Sequence, residues 1–219
     1  MKSILLIAFT CVSCSFVFSQ KIGNIDFDDI QTRCFGKNAE SPYKELYKRL
    51  QHFDTTLTEK QYKDVYYGIV FTKEYNPYGV SDKHDQFFDL YKNKEHKKAI
   101  PVGLEILKEN PINLQMIFKV LICYNQVGDK NEERKLAKTY FGLLGAIYSS
   151  GDARTKETPM VVVYVSDEYE ILADMELISG EQYLSGECDV FPVKTKKRKD
   201  LDMHFNVHFP LENLKKQFK

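Results

Sequence analysis

The chain lacks several features that would place it in a functional class. It contains no tryptophan and only five cysteines in 219 residues, and its 31 Lys and Arg balance its 31 Asp and Glu. A formal net charge of zero argues against a nucleic acid or an anionic membrane surface as a partner recruited by overall charge. No low-complexity tract or linker rich in Pro, Gly or Ser divides the sequence. The length therefore allows one domain or two small ones.

Motifs for familiar enzyme chemistry are also missing. No serine stands in a G-x-S-x-G setting, and there is no Gly-rich phosphate loop. His204 and His208 have a spacing that could hold zinc on a helix. The alternating pattern from 204 to 209 instead predicts a strand, on which four residues span roughly 13 Å. Cys123 lies in an apolar helical pattern, which is typical of core packing rather than of a nucleophile. We predict no catalytic residue, no metal and no cofactor.

Two charged segments have ordinary structural explanations. Asp167, Glu168 and Glu170 could serve as paired carboxylates, but they follow a predicted helix start at Ser166, where the helix dipole favours acids. The segment from Lys194 to Lys199 could contact anionic glycans or lipids. A solvated hairpin loop is the commoner meaning of such a run.

Residues 1–20 have the organisation of a signal peptide, with Lys2 before an apolar run from Ile4 to Phe18. The run is short for a membrane span, and no later segment is apolar enough to stop transfer. We expect cleavage next to Gln20 and export to the periplasm, the cell envelope or the medium, with no transmembrane segment in the mature chain. Cys14 offers a poor lipidation motif, because Cys11 stands where Leu is expected.

Three cysteines, Cys34, Cys123 and Cys188, remain after this cleavage. They allow at most one intrachain disulfide, for which the sequence offers three pairings. Three small buried thiols are the alternative.

The segment from about residue 41 to 149 is predicted to be helical. Ser41-Pro42 opens the first helix, and a capping box from Thr58 to Gln61 opens the second, which should stop before Asn76-Pro77. Asn110 is predicted to end one helix and cap the next, which should end at Gly128. The predicted helices cover about 42–53, 58–73, 81–92, 96–110, 110–128 and 131–149.

The hydrophobic period changes after residue 150. Residues 159–165 predict a buried strand, and a helix should follow from Ser166 to about Leu177. Two strands, 189–193 and 201–209, should be joined by the basic turn, and a short basic helix closes the chain. The predicted fold is α+β, mainly α, with a helical region at 21–150 and a small α+β unit at 151–219 packed on it.

The helical region has some features of a repeat. Tyr91 and Tyr124 are 33 positions apart, close to the 34-residue tetratricopeptide period, and Pro111 falls where that repeat usually has its proline. Ala99 and Ala137 would be the small residues of the second helices. The pattern predicts tetratricopeptide-like antiparallel hairpins, with an ordinary antiparallel bundle as the alternative.

A tyrosine-rich segment is the candidate binding site. Tyrosine buries a ring but needs a partner for its hydroxyl group, so a cluster of tyrosines fits either a helix–helix core or an aromatic groove for a peptide or a sugar. The candidate partner-binding or ligand-binding residues are Tyr66, Tyr67, Tyr75, Asn76 and Tyr78.

Short motifs along the chain resemble an exported Bacteroidota family catalogued as a domain of unknown function. The matching segments are Leu57-Thr58, Tyr66-Tyr67-Gly68, Tyr75-Asn76-Pro77-Tyr78, Ser149-Ser150-Gly151-Asp152, Val165-Ser166-Asp167-Glu168-Tyr169 and Phe205-Asn206-Val207. Ala153 departs from the pattern, which has Gly there, and this predicts a less tight turn. The resemblance implies an exported, tetratricopeptide-like protein with a β-containing C-terminal part, and it implies no activity.

Three functions are compatible with these features. The leading hypothesis is a non-enzymatic module that binds a protein or peptide, because the helices are repeat-like and no catalytic constellation is visible. The alternative is a protein that binds a small ligand or glycan through the tyrosine-rich segment. A hydrolase is the third, and it would need Asp167, Glu168 or a histidine to converge with other polar groups in a cleft.

Overall fold

The computed structural model describes residues 20–194 and 201–218. The predicted signal peptide up to residue 19 and the basic segment 195–200 lie outside the described residues. The fold is α+β and mainly helical, as predicted. The helices are α1 Phe27–Phe35, α2 Tyr43–Gln51, α3 Glu59–Gly68, α4 His84–Lys92, α5 His96–Glu109, α6 Leu114–Val127, α7 Lys130–Tyr148, α8 Ser166–Asp174 and α9 His208–Gln217. The strands are β1 Lys21–Ile22, β2 Ile25–Asp26, β3 Met160–Val161, β4 Ile178–Ser179, β5 Tyr183–Ser185, β6 Cys188–Lys194 and β7 Leu201–Asn206.

The helices α4 to α7 pack mainly on their neighbours in sequence, and α7 also packs on α3. Two predicted helix ends are confirmed. The Thr58 hydroxyl oxygen accepts a hydrogen bond from the Gln61 backbone N–H, and Gln61 Oε1 accepts one from the Thr58 backbone N–H, which together form the capping box. Gly128 ends α6 in the left-handed conformation, with φ of 81°, which glycine adopts at little cost.

Other predicted helix ends are wrong by a few residues. The helix α6 is capped by Asn113, whose Oδ1 accepts from the Met116 backbone, and not by Asn110. The Asn110 side chain accepts from the Ile112 backbone within the turn between α5 and α6. The helix α3 ends at Gly68 and continues only as a 3-10 turn, Ile69–Phe71, rather than reaching Lys73. In each case a local hydrogen bond in the turn replaces one more helical turn.

The predicted strand 201–209 is shorter than expected. Strand β7 pairs antiparallel with β6 and ends at Asn206, and α9 begins at His208. The Asn206 side chain accepts from the His208 backbone at 3.1 Å, and Pro210 suits the first turn of a helix. His204 and His208 therefore lie on different elements.

The sheet has the order β3-β7-β6-β4, and β5 also pairs with β6. The predicted strand 159–165 pairs with β7, in parallel, only at Met160 and Val161. It stops there because β7 itself ends at Asn206, and the chain then turns into α8. The residues 162–164 remain buried.

The hairpin β1-β2 and the helix α1 were not predicted from the sequence. Asp26 caps α1 by accepting from the Asp29 backbone at 3.0 Å. Phe27, which is fully buried, meets Tyr67 with ring centroids 5.6 Å apart and Phe209 at 4.6 Å. The N-terminal segment thereby packs against both the helical region and α9.

The buried apolar side chains form one continuous cluster on both sides of residue 150. Next to that boundary, Ala153 has a φ of +57°. This is the left-handed conformation that glycine adopts more readily. The turn therefore keeps a backbone geometry typical of glycine, contrary to the expectation that alanine would make it less tight. Within the described residues, no helix is long and apolar enough to cross a membrane.

Candidate functional site

The structure places Tyr66 and Tyr67 in the core. Both are 0% exposed. The Tyr66 hydroxyl donates to Asp167 Oδ2 at 2.7 Å and accepts from the Val163 backbone at 3.3 Å. The Tyr67 hydroxyl lies 3.1 Å from the Val161 carbonyl oxygen. These two side chains join α3 to the segment before α8 and do not line a groove, because their hydroxyl groups find their partners inside the protein.

The other three predicted residues lie in the turn that follows α3. Tyr75 is half-buried and donates to the Val163 carbonyl at 2.7 Å. Asn76 and Tyr78 are exposed, and both line depressions of the surface. The structure thus separates the predicted set into two core tyrosines, one structural tyrosine and two surface residues.

Three adjoining hollows form one groove along this turn. The first, the aromatic end, has a volume of about 520 Å³ and is lined by Phe35, Pro42, Tyr43, Tyr47 and Ile69 among others. The middle hollow, of about 190 Å³, shares Tyr47, Ile69 and Glu74 with the aromatic end. The third, the polar end, has a volume of about 290 Å³ and shares Asn110, Asn113 and Tyr164 with the middle hollow. The shared lining residues place the three hollows next to one another, from α2 to the start of α8, and we refer to them together as the groove.

The aromatic end is a preformed apolar surface. Phe35 is 41% exposed and stacks on Tyr43 with ring centroids 5.1 Å apart. Tyr43 and Tyr47 donate to the carbonyl oxygens of Val65 and Glu109, at 3.2 and 2.7 Å. Both tyrosine hydroxyl groups are therefore already used, so this end offers rings rather than hydrogen bonds.

The aromatic end also contains Cys34. Burial, followed by the nearby charge of Asp64, raises the pKa of its thiol to about 12. A thiol with such a pKa holds its proton at neutral pH and is a poor nucleophile. Cys34, Cys123 and Cys188 are all free and buried in the described structure.

The polar end is built from turns and helix starts. Tyr78, Ser81, Asn110, Asn113, Tyr164 and Ser166 line it. The sequence pattern assigned Asn110 and Ser166 to helix capping, so it did not find them as site residues. Asn110, Pro111 and Asn113 lie within four residues, which is typical of a polar turn. Only the fold brings this turn next to Tyr164.

A group of buried acids lies behind the polar end. Asp167 and Glu168 are 1% and 0% exposed and Asp189 is 7% exposed. Burial is the main reason why the pKa of Asp167 rises to about 8 and that of Glu168 to about 10, and the neighbouring Asp189 raises the pKa of Glu168 further. The predicted position of the first two, in the first turn of a helix that begins at Ser166, is confirmed, but the sequence pattern did not indicate that they are buried.

Within the part of the chain that the structure describes, no donor reaches either carboxylate oxygen of Glu168. Two carboxylates can only accept, so Glu168 and Asp189 can bond to each other only when one of them holds a proton. The raised pKa of Glu168 fits such a shared proton. Because the group is closed to solvent, it cannot meet a substrate.

His204 and His208, whose spacing would suit zinc only on a helix, have separate partners on separate elements. His208 Nδ1 lies 2.9 Å from Glu187 Oε1 and His204 Nδ1 lies 3.3 Å from the Ala153 carbonyl. Within residues 20–194 and 201–218, no group of three or more His, Cys, Asp or Glu side chains is placed to hold a metal ion.

The fold and the groove define a mainly helical α+β protein with a surface depression made by one turn and three helix starts. The chain belongs to the family described as Domain of unknown function (DUF4919), whose family model matches residues 28–216. No curated protein and no solved structure matches the chain. The family description gives no activity, so function has to be argued from the groove.

Proposed function

We propose that the chain is an exported, non-enzymatic binding protein that holds an extended peptide segment in this groove. The observation that supports the proposal most is the contrast between the ends of the groove. An apolar side chain fits the aromatic end, and a polar main chain fits the middle and polar ends, where amide side chains are available. Extended peptides are commonly held in this way, with side-chain pockets beside main-chain hydrogen bonds.

A peptide fits the aromatic end better than a sugar does. The tyrosine hydroxyl groups there already donate to Val65 and Glu109. A sugar ring placed among Phe35, Pro42 and Ile69 would have Lys44, Thr72 and Glu74 of the same hollow as partners, and any sugar hydroxyl group left without a partner costs free energy. A hydrocarbon side chain has no such cost and gains from burial. The glycan alternative therefore ranks second, and a hydrolase has no support from the acids, which are closed to solvent.

The proposal is tested with the chain from Gln20 onward and a phage library of random peptides whose N termini are fused to the coat protein, so that each peptide keeps a free C terminus. Enriched peptides should share a large apolar residue, and synthetic copies should bind with a dissociation constant measurable by calorimetry. Phe35→Ala should weaken binding about tenfold or more, as expected for an aromatic anchor at an interface.

Phe141→Ala is the matched control, since Phe141 is 61% exposed on α7 and does not line the groove. It should leave binding unchanged. Absence of enrichment, or equal binding by Phe35→Ala, would contradict the proposal. Binding of a glycan array by the unmodified chain, lost in Phe35→Ala, would replace it with the glycan alternative.

A further inference from the structure

Three helices begin at the polar end of the groove. His84 of α4, Gln115 of α6 and Ser166 of α8 all line it. The first backbone N–H groups of a helix have no partner within the helix, and they carry a partial positive charge. In α6, the N–H groups of Leu114 and Gln115 donate to no acceptor within the described residues, whereas Met116 is capped by Asn113. In α4 and α8, some first-turn N–H groups already donate to preceding carbonyl oxygens, His84 to Ser81 and Asp167 to Tyr164, so these two helices contribute mainly their partial charge.

Few acids offset this positive potential. Among the described residues, no Asp or Glu lines the polar end, and α6 has none in its first turn. The two acids in the first turn of α8, Asp167 and Glu168, point into the core, and their raised pKa values keep them largely protonated and neutral near pH 7. Asp85 of α4 is exposed and lies beside the His84 ring, with Oδ1 3.2 Å from Nδ1.

Tyr164 is a second observation, separate from the helix N-termini, that points to a ligand at the polar end. Its side chain is only 8% exposed, yet it lines both the middle hollow and the polar end. The side chain of Asn110 is within hydrogen-bonding range of its oxygen and acts to lower its pKa, as a donor would. The Tyr164 hydroxyl is not among the buried polar atoms of the described residues that lack a partner, so it is open to the hollows that its ring lines. An acceptor group bound there could take its hydrogen bond in place of water.

We propose that the polar end is a carboxylate-binding site, in which the Tyr164 hydroxyl and the N-termini of α4, α6 and α8 hold a carboxylate of the bound peptide. The carboxylate is either the C terminus of the peptide or an acidic side chain. The link to a peptide rests on the proposed function, but the anion site itself does not. A carboxylate is favoured over a neutral group because no acidic residue lines this hollow among the described residues and an anion gains from helix N-termini.

The test uses small probes, which reach the polar end whether or not the aromatic end binds a peptide. We expect N-acetyl-alanine, which carries one carboxylate, to shift the backbone NMR signals of Ser166 and Asn113 in a saturable titration. The amide of N-acetyl-alanine should not. The amide of N-acetyl-aspartate carries its carboxylate on the side chain, so comparison of the two acids identifies the source that the site prefers.

Tyr164→Phe removes only the hydroxyl group and should weaken the binding of the better acid several-fold. Tyr169→Phe is the matched control, because Tyr169 lies outside the groove and donates to Gln182 at 3.0 Å. Equal shifts with N-acetyl-alanine and its amide, no shifts with either acid, or equal affinity in Tyr164→Phe would overturn the carboxylate site. None of these results depends on the peptide library, so the two proposals can fail separately.

Discussion

Two regions of the molecule bury an acid completely and stabilise it in different ways. Asp64 in α3 is 0% exposed and accepts a hydrogen bond from Arg33 Nη2 at 2.6 Å. Glu168 in α8 is 0% exposed, its carboxylate oxygens have no hydrogen-bond donor among the described residues, and Asp189 and Asp167 are its acidic neighbours. The first acid is compensated by a cation and the second by its own proton. Two carboxyl groups that are equally buried in one protein can therefore differ in charge, because their neighbours differ.

The largest expected effect comes from removing the cation of the first region. Arg33→Met leaves Asp64 buried without its partner, which should lower the free energy of unfolding by about 3–5 kcal/mol. Urea denaturation at pH 7 measures the change. The double variant with Asp64→Leu should recover most of the loss, because an apolar pair needs no compensation. A single variant as stable as the original chain would show that the ion pair does not compensate Asp64.

The second region should respond to pH in the opposite sense to an ion-paired acid. The pKa of Glu168 is raised from 4.5 to about 10 and that of Asp167 from 3.8 to about 8. Their contribution to stability is therefore complete below about pH 4 and decreases as the pH rises through the folded values. We expect the melting temperature to fall between pH 5 and pH 9.

Glu168→Gln tests the origin of this fall. Glutamine cannot ionise, so the variant should be more stable than the original chain at pH 9, by about 1–3 kcal/mol, and the difference should shrink toward pH 5. Thermal melts over that range measure it. A difference that stays constant with pH would exclude Glu168 as the titrating group.

A smaller change in the free energy of unfolding is expected when Tyr66 loses the hydroxyl group that donates to Asp167. Tyr66→Phe removes the 2.7 Å hydrogen bond to Asp167 and should cost about 1–2 kcal/mol at pH 5, since it leaves a buried acceptor without its donor. The hydrogen bond holds the pKa of Asp167 down, so its loss should also steepen the decrease in stability toward pH 9. Tyr169→Phe, at an exposed ring, serves as the control and should change neither quantity.

The sequence predicted the local features of these regions but missed the features that depend on tertiary packing. The capping box at Thr58, the end of α6 at Gly128 and the fold class follow from local patterns, and the structure confirms them. The helix α1, with Arg33, was missed although its buried residues Phe27, Ile30 and Cys34 are spaced as on one helical face. It is short, and the stability of a short helix comes from tertiary packing. The acids of α8 were interpreted from their position at a helix start. Whether that face points to water or to β6 is a tertiary property, and it decides whether they are charged.

The candidate site was predictable only in part, for the same reason. Asn76 and Tyr78 lie in a turn that Pro77 and Gly79 mark in the sequence, and a turn after a helix tends to be exposed. In the sequence, Tyr66 and Tyr67 look as able to bind a ligand as Asn76 and Tyr78 do. Their hydroxyl groups are used inside the protein, because they bond to Asp167 and Val161, which are 101 and 94 residues away in the chain. The rings of Phe35 and Tyr47 come together only through the packing of α1, α2 and α3.

The smallest expected effect comes from an acid that stays near the surface. Asp54, after α2, accepts from Arg49 Nε at 2.7 Å and from the Thr56 backbone at 2.8 Å, and hydrogen bonds to Thr56 and Arg49 lower its pKa to about 2. A lowered pKa stabilises the fold above about pH 4, and this contribution is lost as the pH falls toward 2. Asp54→Asn should therefore cost about 1 kcal/mol or less at pH 7, because solvent weakens exposed pairs, and nothing at pH 2. The loss grows from acid to neutral pH and is then constant, whereas the effect of Glu168→Gln grows from neutral to alkaline pH. Thermal melts of both variants over one pH series distinguish an acid that its partners keep charged from an acid that burial keeps neutral. A stability loss for Asp54→Asn that grew toward alkaline pH would contradict the conclusion that hydrogen bonds keep Asp54 charged.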